Sequence, residues 1–253
     1  MSALSDDELE RYSRQLVLPE WSERAQVALK RSSVLVVGAG ALGSAAAQYL
    51  AAAGVGRLGL VDDEQVELSN LGRQVLHYTP DVGVPKAESA AAKLRFLNPA
   101  ILVETYPARV DEQNAGVMVL GQDVVVDATD AWPTRRLIND ACCAEGVALV
   151  EGAVLGLRGT VMSIRPGVSA CHRCAFASDP KPEAVSTCAE AGVLGPVPGV
   201  VGAFQALEAL KLLTGVGEPL LDRFLEIDGA GSRVTEVVTA RRPDCPACGA
   251  PAG

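Results

Sequence analysis

A glycine motif near the start of the chain has the spacing of a phosphate-binding turn. The motif GxGxxG occupies residues 38–43, after a short apolar run and before an alanine-rich one. Its glycines permit close backbone approach, and the first N–H groups of the following helix can bind phosphate. Asp62 lies 19 residues after Gly43, where a carboxylate can bind ribose hydroxyls. The pattern predicts a nucleotide site, without separating ATP from NAD, at Gly38, Gly40, Ala41, Gly43 and Asp62.

Three basic residues fall near predicted loops or helix starts and could supply the charge that a triphosphate needs. They are Arg14, Arg73 and Lys86. Taken one at a time, each has the character of an ordinary surface cation. They therefore favour ATP only as a group.

Four of the seven cysteines form two CxxC pairs, Cys171–Cys174 and Cys245–Cys248. A CxxC turn directs two thiolates to one point, and four thiolates complete a tetrahedral zinc site. The 70 residues between the pairs exceed the spacing of a zinc ribbon, so a redox pair or disulfides remain alternatives at this stage. We interpret His172, inside the first pair, as a bystander.

The other three cysteines fall in two predicted environments. Cys188 lies in a proline-rich segment, 176–198, which predicts a loop, and the sequence leaves open whether its thiol is reactive. Cys142 and Cys143 lie beside apolar residues of a predicted helix and are expected to be core thiols.

The elements that position these residues form an alternation typical of an α/β fold with a Rossmann-like mixed sheet. The first predicted strands and helices are Ser33–Val37, Ala41–Ala53, Arg57–Val61, Pro85–Leu97, Asp123–Asp127, Thr134–Glu145 and Ala148–Glu151. Beyond Gly159 short strands follow one another without regular helical crossovers, which indicates an antiparallel edge. These later elements are Thr160–Ile164, helix Val200–Leu213, Phe224–Ile227 and Val234–Val238.

Charge and composition exclude several classes of protein. The chain has 22 basic and 31 acidic residues, a net charge of −9, which makes nucleic acid an improbable ligand. The uncharged run 34–56 is interrupted by five glycines, so a strand, a turn and a buried helix explain it better than a membrane span. The acidic N-terminus does not resemble a signal peptide. We expect a cytoplasmic protein with no membrane partner.

Several motifs occur together in an order that resembles the MoeB/ThiF family, the bacterial adenylyltransferases that activate ubiquitin-like sulfur-carrier proteins. The motifs are Arg11-Tyr12-Ser13-Arg14-Gln15, the glycine turn, Asp62, Ser69-Asn70-Leu71-Gly72-Arg73-Gln74, Lys86 with Ala87-Glu88-Ser89, and Asp127-Ala128-Thr129-Asp130. The resemblance implies one domain over 1–253. Within it we expect an N-terminal helical segment 4–30, a nucleotide-binding half 31–155, and a carrier-binding half 156–249 that holds a crossover loop and a four-cysteine zinc site.

The resemblance also implies a reaction. ATP and the C-terminal Gly-Gly carboxylate of a carrier protein give an acyl-adenylate and pyrophosphate. Asp62 would hold the ribose, and Asp130 would bind Mg²⁺. The phosphates would be bound by Asn70, Arg73 and Lys86, and Gln74 would also belong to the nucleotide site. Ala131 stands where many relatives have asparagine, which weakens any contact expected at that position. A cap on the following helix is the alternative role for Asp130.

Further expectations concern assembly and sulfur chemistry. The resemblance implies a homodimer in which Arg14 reaches the γ-phosphate in the partner subunit's site, and a structural zinc bound by the four paired cysteines. Cys188 would lie on a loop over the active site, where some relatives form a covalent sulfur link with the carrier. Sulfur for molybdopterin, thiamine or tRNA thiolation would come from a separate donor such as a cysteine desulfurase or rhodanese. The alternatives are an NAD-dependent dehydrogenase and a zinc-ribbon binding protein.

Overall fold

The computed structural model describes residues 4–178 and 192–249, and eight strands of this part form one sheet. The strands are β1 (Ser33–Val37), β2 (Arg57–Val61), β3 (Leu102–Tyr106), β4 (Val124–Asp127), β5 (Ala148–Leu155), β6 (Arg158–Ile164), β7 (Arg223–Asp228) and β8 (Arg233–Val238). Their order is β3-β2-β1-β4-β5-β6-β7-β8. Strands β1 to β5 pair in parallel and β5 to β8 pair antiparallel, which confirms the predicted mixed sheet.

Helices cover both faces of the parallel half. They are α1 (Asp6–Arg11), α2 (Ser13–Leu16), α3 (Glu23–Arg31), α4 (Ala41–Ala53), α5 (Lys86–Leu97), α6 (Ala115–Val119), α7 (Trp132–Glu145), α8 (His172–Ala175) and α9 (Pro196–Thr214). The hydroxyl oxygens of Ser5 and Ser22 accept N–H groups at the starts of α1 and α3. Gly54, Gly146 and Gly215 end α4, α7 and α9 in the left-handed conformation.

Alternate side chains of each strand build two cores. Val34 and Val36 of β1 pack with α4, α5 and α9 on one face. Leu35 and Val37 pack on the other face, with α6, α7 and the paired cysteines. This two-sided burial explains why the parallel strands are apolar at nearly every position. The sheet can therefore present polar groups only at the ends of its strands, where the site lies.

The structure differs from the sequence prediction at several boundaries. Strand β3 and the short helices α6 and α8 were not predicted. β3 is an edge strand that pairs only with β2, and Leu102 at its start is exposed, so it lacks the apolar run of a central strand. Helix α9 begins at Pro196, so the prediction of a loop through 198 was wrong for its last three residues. Proline at the first helical positions needs no intrahelical partner, which permits this early start.

One described helix, α9, is long and apolar enough to cross a membrane by length and composition alone. It packs against α4, β5 and β6. Its buried Glu208 accepts hydrogen bonds from the Ser163 hydroxyl and the Leu220 N–H, both at 2.7 Å. Buried polar groups satisfied by neighbouring elements are typical of a core helix. The uncharged run 34–56 forms β1, the glycine turn and α4, as predicted.

Candidate nucleotide site and cysteine cluster

A cavity of about 680 Å³ opens at the carboxyl ends of β1, β2 and β4, a volume within the range of small-molecule sites. The position is the switch point of the sheet, because β2 and β3 lie on one side of β1 and the chain then crosses to β4 on the other side. The cavity brings together most of the sequence-predicted nucleotide residues: Gly38, Gly40, Ala41, Asp62, Asn70, Arg73, Gln74, Lys86 and Asp130. Gly43 and Arg14 do not line it.

The glycine turn is shaped by two close approaches. Gly38 has φ +96°, and a Cβ there would lie 2.8 Å from the Ala128 carbonyl oxygen. A Cβ on Gly43 would lie 1.8 Å from the Gly38 carbonyl oxygen. Gly43 therefore allows α4 to pack on the turn rather than lining the cavity. The N-terminus of α4 has no side-chain cap, so its free N–H groups are available to an anion.

The middle residue of the turn, Ala39, is held by two side chains. Asp62 Oδ2 accepts its N–H at 2.7 Å, and His77 Nε2 lies 2.8 Å from its carbonyl oxygen. Because a carbonyl only accepts, Nε2 carries the proton and Nδ1 accepts from the Ser89 hydroxyl, 2.8 Å away. Burial lowers the pKa of His77, which keeps this imidazole neutral. No sequence motif indicated His77, because its role depends on this tertiary contact.

Asp62 lies partly buried between the turn and the cations. Burial raises its pKa, while backbone N–H groups of Glu64 and Ala39 and the charge of Lys86 act in the opposite direction. Each carboxylate oxygen accepts one backbone N–H and keeps a second lone pair. The predicted contact with ribose hydroxyls therefore remains available.

Other polar residues that line the cavity with Asp62 are held by contacts within the chain. Lys86 is 3% exposed, and its ammonium group pairs with the carboxylate of Glu64. Arg73 Nη1 donates to the Ser69 carbonyl at 2.9 Å. Asn70 Oδ1 accepts the Glu67 N–H at 3.1 Å. Two further arginines line the cavity that sequence analysis did not select, Arg109 and Arg135.

Asp130 lies at the edge of the cavity with its side chain exposed. Within the described residues, its carboxylate makes no hydrogen bond or ion pair. Helix α7 has Ala131 at its N-cap, so the alternative role of Asp130 as a helix cap is wrong. A free carboxylate at this edge fits the hard, oxygen-preferring chemistry of Mg²⁺.

Two buried carboxylates that sequence analysis did not select lie beneath the cavity. Asp127 and Glu151 are register partners on β4 and β5. Burial raises the pKa of Asp127 to about 6, with Arg135 lowering it and Glu151 raising it further. Both oxygens of Glu151 lie 2.8 Å from His172 Nδ1. The sheet register, rather than any local motif, creates this group.

The four paired cysteines meet on the other face of the sheet, all buried, with their sulfur atoms within 4.8 Å of one another. Sγ of Cys171 lies 3.9 Å from that of Cys174 and 3.6 Å from that of Cys245, and Cys174 lies 3.4 Å from Cys248. Tetrahedral zinc with bonds of about 2.3 Å would separate sulfurs by about 3.8 Å. The cluster therefore fits a metal site, and the six described cysteines form no disulfide.

The remaining predicted residues have these positions. His172 is not directed at the cluster, because its Nδ1 faces Glu151. Cys142 is buried in the core as predicted, whereas Cys143 is only half-buried. Arg14 is exposed on α2, and the break at Tyr12 separates it from Glu10 on α1. Cys188 lies outside the described residues.

The parallel half-sheet, glycine turn and cysteine cluster define a Rossmann-like nucleotide-binding fold with an attached metal-type site. Residues 12–247 match the ThiF family, and the chain belongs to that family.

Three relatives support this assignment. The chain is 50% identical to the SAMP-activating enzyme E1 of Haloferax volcanii, over 98% of this chain and 91% of the relative. It is 47% identical to the sulfur carrier protein adenylyltransferase of Thermus thermophilus, over 96% of this chain and 92% of the relative. It is 50% identical to adenylyltransferase and sulfurtransferase MOCS3 of Mus musculus over 98% of this chain, and spans 54% of that protein. These names give no support to the dehydrogenase or zinc-ribbon alternatives.

Solved structures show the same fold. E. coli MccB superposes with a TM-score of 0.87 at 23% identity, over 97% of this chain and 74% of that one. MccB solved with AMPCPP and selenomethionine MccA has a TM-score of 0.82 at 25% identity, over 94% and 74% of the two chains.

Proposed function

We propose that the protein uses ATP and Mg²⁺ to adenylylate the C-terminal Gly-Gly carboxylate of a ubiquitin-like sulfur-carrier protein, releasing pyrophosphate. The observation that carries the proposal is the convergence of Asp62, Arg73, Lys86 and Asp130 on one cavity at the glycine turn. The 47% identity to a sulfur carrier protein adenylyltransferase supports the choice of carrier.

The residues suit this reaction because it needs no base. A carboxylate oxygen of the carrier attacks the α-phosphorus of ATP, and the bond to pyrophosphate breaks. The nucleophile is already ionised, so catalysis depends on alignment and on neutralising phosphate charge. Lys86 and Arg73 supply positive charge, Asn70 and Gln74 supply polar contacts, and Asp62 orients the ribose. Asp130 would hold Mg²⁺, which when bound neutralises further phosphate charge.

The cysteine cluster is proposed to hold one structural zinc through Cys171, Cys174, Cys245 and Cys248. Support comes from the buried four-sulfur set and its near-tetrahedral spacing. The zinc would tie the segment after β8 to α8. It would have no role in the chemistry of adenylylation.

The proposal extends to assembly and sulfur transfer. The working unit would be a cytoplasmic homodimer in which Arg14 completes the partner subunit's site, consistent with its exposure and its absence from the cavity of its own chain. The adenylated carrier would receive sulfur from a cysteine desulfurase or rhodanese, for molybdopterin, thiamine or tRNA thiolation. Cys188, which lies outside the described residues, would be the candidate for a covalent sulfur link with the carrier.

The test is ATP–pyrophosphate exchange with each Gly-Gly-ended carrier of the same genome, and with each carrier lacking its final glycine. We expect exchange only with an intact carrier. Asp130→Ala and Arg73→Ala should each abolish it without unfolding the protein. Arg95→Gln is the matched control, because Arg95 donates to the Val103 carbonyl and does not line the cavity. Absence of exchange with every carrier would contradict the function, and near-wild-type exchange in both site variants would contradict the site.

A further inference from the structure

We propose that Asp127 and Arg135 are positioning residues that hold Thr129 from opposite sides and so direct the Asp130 carboxylate into the cavity. This inference rests on the proposed function, in which Asp130 would hold Mg²⁺. Sequence analysis gave Asp127 no role beyond its place in a motif and did not select Arg135.

Asp127 holds the N–H side of Thr129. Its Oδ1 accepts the backbone N–H of Thr129 at 2.9 Å and the Thr129 hydroxyl at 2.7 Å. The Asp127 side chain is fully buried at the end of β4. Burial restricts the movement of this carboxylate, and hydrogen bonds to charged groups are the stronger ones.

Arg135 holds the carbonyl side of the same residue. Its Nε and Nη2 lie 3.2 and 2.7 Å from the Thr129 carbonyl oxygen. Arg135 is on the first turn of α7 and is 7% exposed. Its planar guanidinium directs two donors at one oxygen, a geometry that lysine cannot reproduce.

This arrangement matters because other contacts do not fix Asp130. Within the described part of the chain, the Asp130 carboxylate has no hydrogen-bond or ion-pair partner. The preceding Ala128 donates its N–H to the Val37 carbonyl at 2.9 Å and packs against Gly38. The backbone is therefore held at Ala128 and at Thr129, and the direction of Asp130 follows from these two residues. A ligand fixed before binding loses less entropy when it meets its cation.

The experiment compares Thr129→Val, Thr129→Ser, Arg135→Gln and wild type, with Arg95→Gln as the control. ATP binding is measured by calorimetry with saturating Mg²⁺ and again with EDTA. Loss of one charge-assisted hydrogen bond predicts about tenfold weaker binding with Mg²⁺ in Thr129→Val and Arg135→Gln, and less than about twofold change with EDTA. Thr129→Ser keeps the hydroxyl and should bind like wild type.

A second measurement follows the backbone without any ligand. Hydrogen–deuterium exchange of the peptide covering 128–132 should quicken in Thr129→Val and Arg135→Gln, while the β1 peptide 33–37 should not change. The control variant should leave both peptides unchanged. This measurement reports the contacts of Asp127 and Arg135 with Thr129 whether or not the chain binds ATP.

Three results would overturn the positioning role. The first is wild-type ATP affinity with Mg²⁺ in both variants. The second is an equal loss with Mg²⁺ and EDTA in Arg135→Gln, which would show that Arg135 contacts the nucleotide directly. The third is an unchanged rate of hydrogen–deuterium exchange of the peptide 128–132 in both variants. A wild-type chain that binds no ATP under either condition would instead overturn the proposed function, and the positioning role with it.

Discussion

Two residues beside the cavity, Ala39 and Thr129, have their backbone N–H and C=O groups bonded by side chains from other positions. Asp62 and His77 hold Ala39. Asp127 and Arg135 hold Thr129. Thr129 lines the cavity and Ala39 lies in the glycine turn beside it, so contacts within the chain fix the backbone at both places. Such order reduces the entropy lost on binding.

At the residue scale, burial of Asp127 predicts a pH-dependent stability. Its pKa of about 6 in the folded chain lies above the unfolded value of about 3.9. Between these two values the folded state binds a proton that the unfolded state has released. The contribution of Asp127 to the free energy of unfolding is therefore fully present below about pH 4 and is lost as pH rises through about 6. Asp127→Asn removes this loss.

The measurement is urea unfolding of wild type and Asp127→Asn from pH 4 to pH 8. The free energy of unfolding of the variant minus that of wild type should increase across this range, by up to about 3 kcal/mol. Titrating groups that do not interact with Asp127 are common to both chains and cancel. A difference that stays flat with pH would contradict the raised pKa of Asp127.

At the scale of elements, the contact between α9 and α4 predicts that substitution by alanine lowers the free energy of unfolding at one glycine of α9 but not at another. A Cβ on Gly202 would lie 2.4 Å from the Leu42 carbonyl oxygen, whereas a Cβ on Gly199 would meet nothing within 4 Å. Gly202→Ala should lower the free energy of unfolding by about 1–3 kcal/mol. Gly199→Ala should be neutral or stabilise by up to about 1 kcal/mol. Equal effects in denaturant unfolding would contradict the close packing of the two helices.

The cysteine cluster predicts that metal stabilises the junction between α8 and the segment after β8. The purified protein should contain about one zinc per chain by mass spectrometry. Cys245→Ser should lose the metal and lower the melting temperature by roughly 5–10 °C in calorimetry, as expected for a loss of a few kcal/mol.

Arg242→Gln is the control for this prediction. It breaks an exposed ion pair with Asp244 in the same segment and should change neither zinc content nor melting temperature appreciably. A protein free of zinc, with thiols that all react with Ellman's reagent, would favour a redox role for the CxxC pairs.

At the scale of the whole molecule, the position of Arg14 predicts complementation between two inactive variants. Arg14→Ala and Asp130→Ala damage residues that would come from different subunits of one site. In a mixed dimer, one site keeps both residues and the other loses both. When equal amounts of the two variants exchange subunits at random, half of the dimers are mixed. ATP–pyrophosphate exchange should therefore recover to about one quarter of the wild-type activity.

Subunit exchange must be shown independently, for example by energy transfer between labelled chains. If subunits exchange and the mixture stays inactive, Arg14 does not act across the dimer. A monomer in analytical ultracentrifugation would contradict the shared site directly.

The sequence determined the local parts of this protein. Strands β1 and β2, helix α4 and the turn between β1 and α4 were predicted because burial on both faces makes the strands continuously apolar and glycine marks the turn. The residues proposed to bind phosphate and the paired cysteines could also be selected from the sequence, because each lies in a short motif.

Only the tertiary structure decided which distant residues meet. His77 lies 38 residues from Ala39, and the two CxxC pairs, far apart in the sequence, meet in one buried cluster. Asp127 and Glu151 become neighbours through the register of β4 and β5. The edge strand β3 was missed because most of its residues are only partly buried or exposed, so its sequence lacks a continuous apolar run. Local patterns follow from backbone geometry and side-chain burial within a few residues, whereas these contacts follow from the order and register in which strands pair.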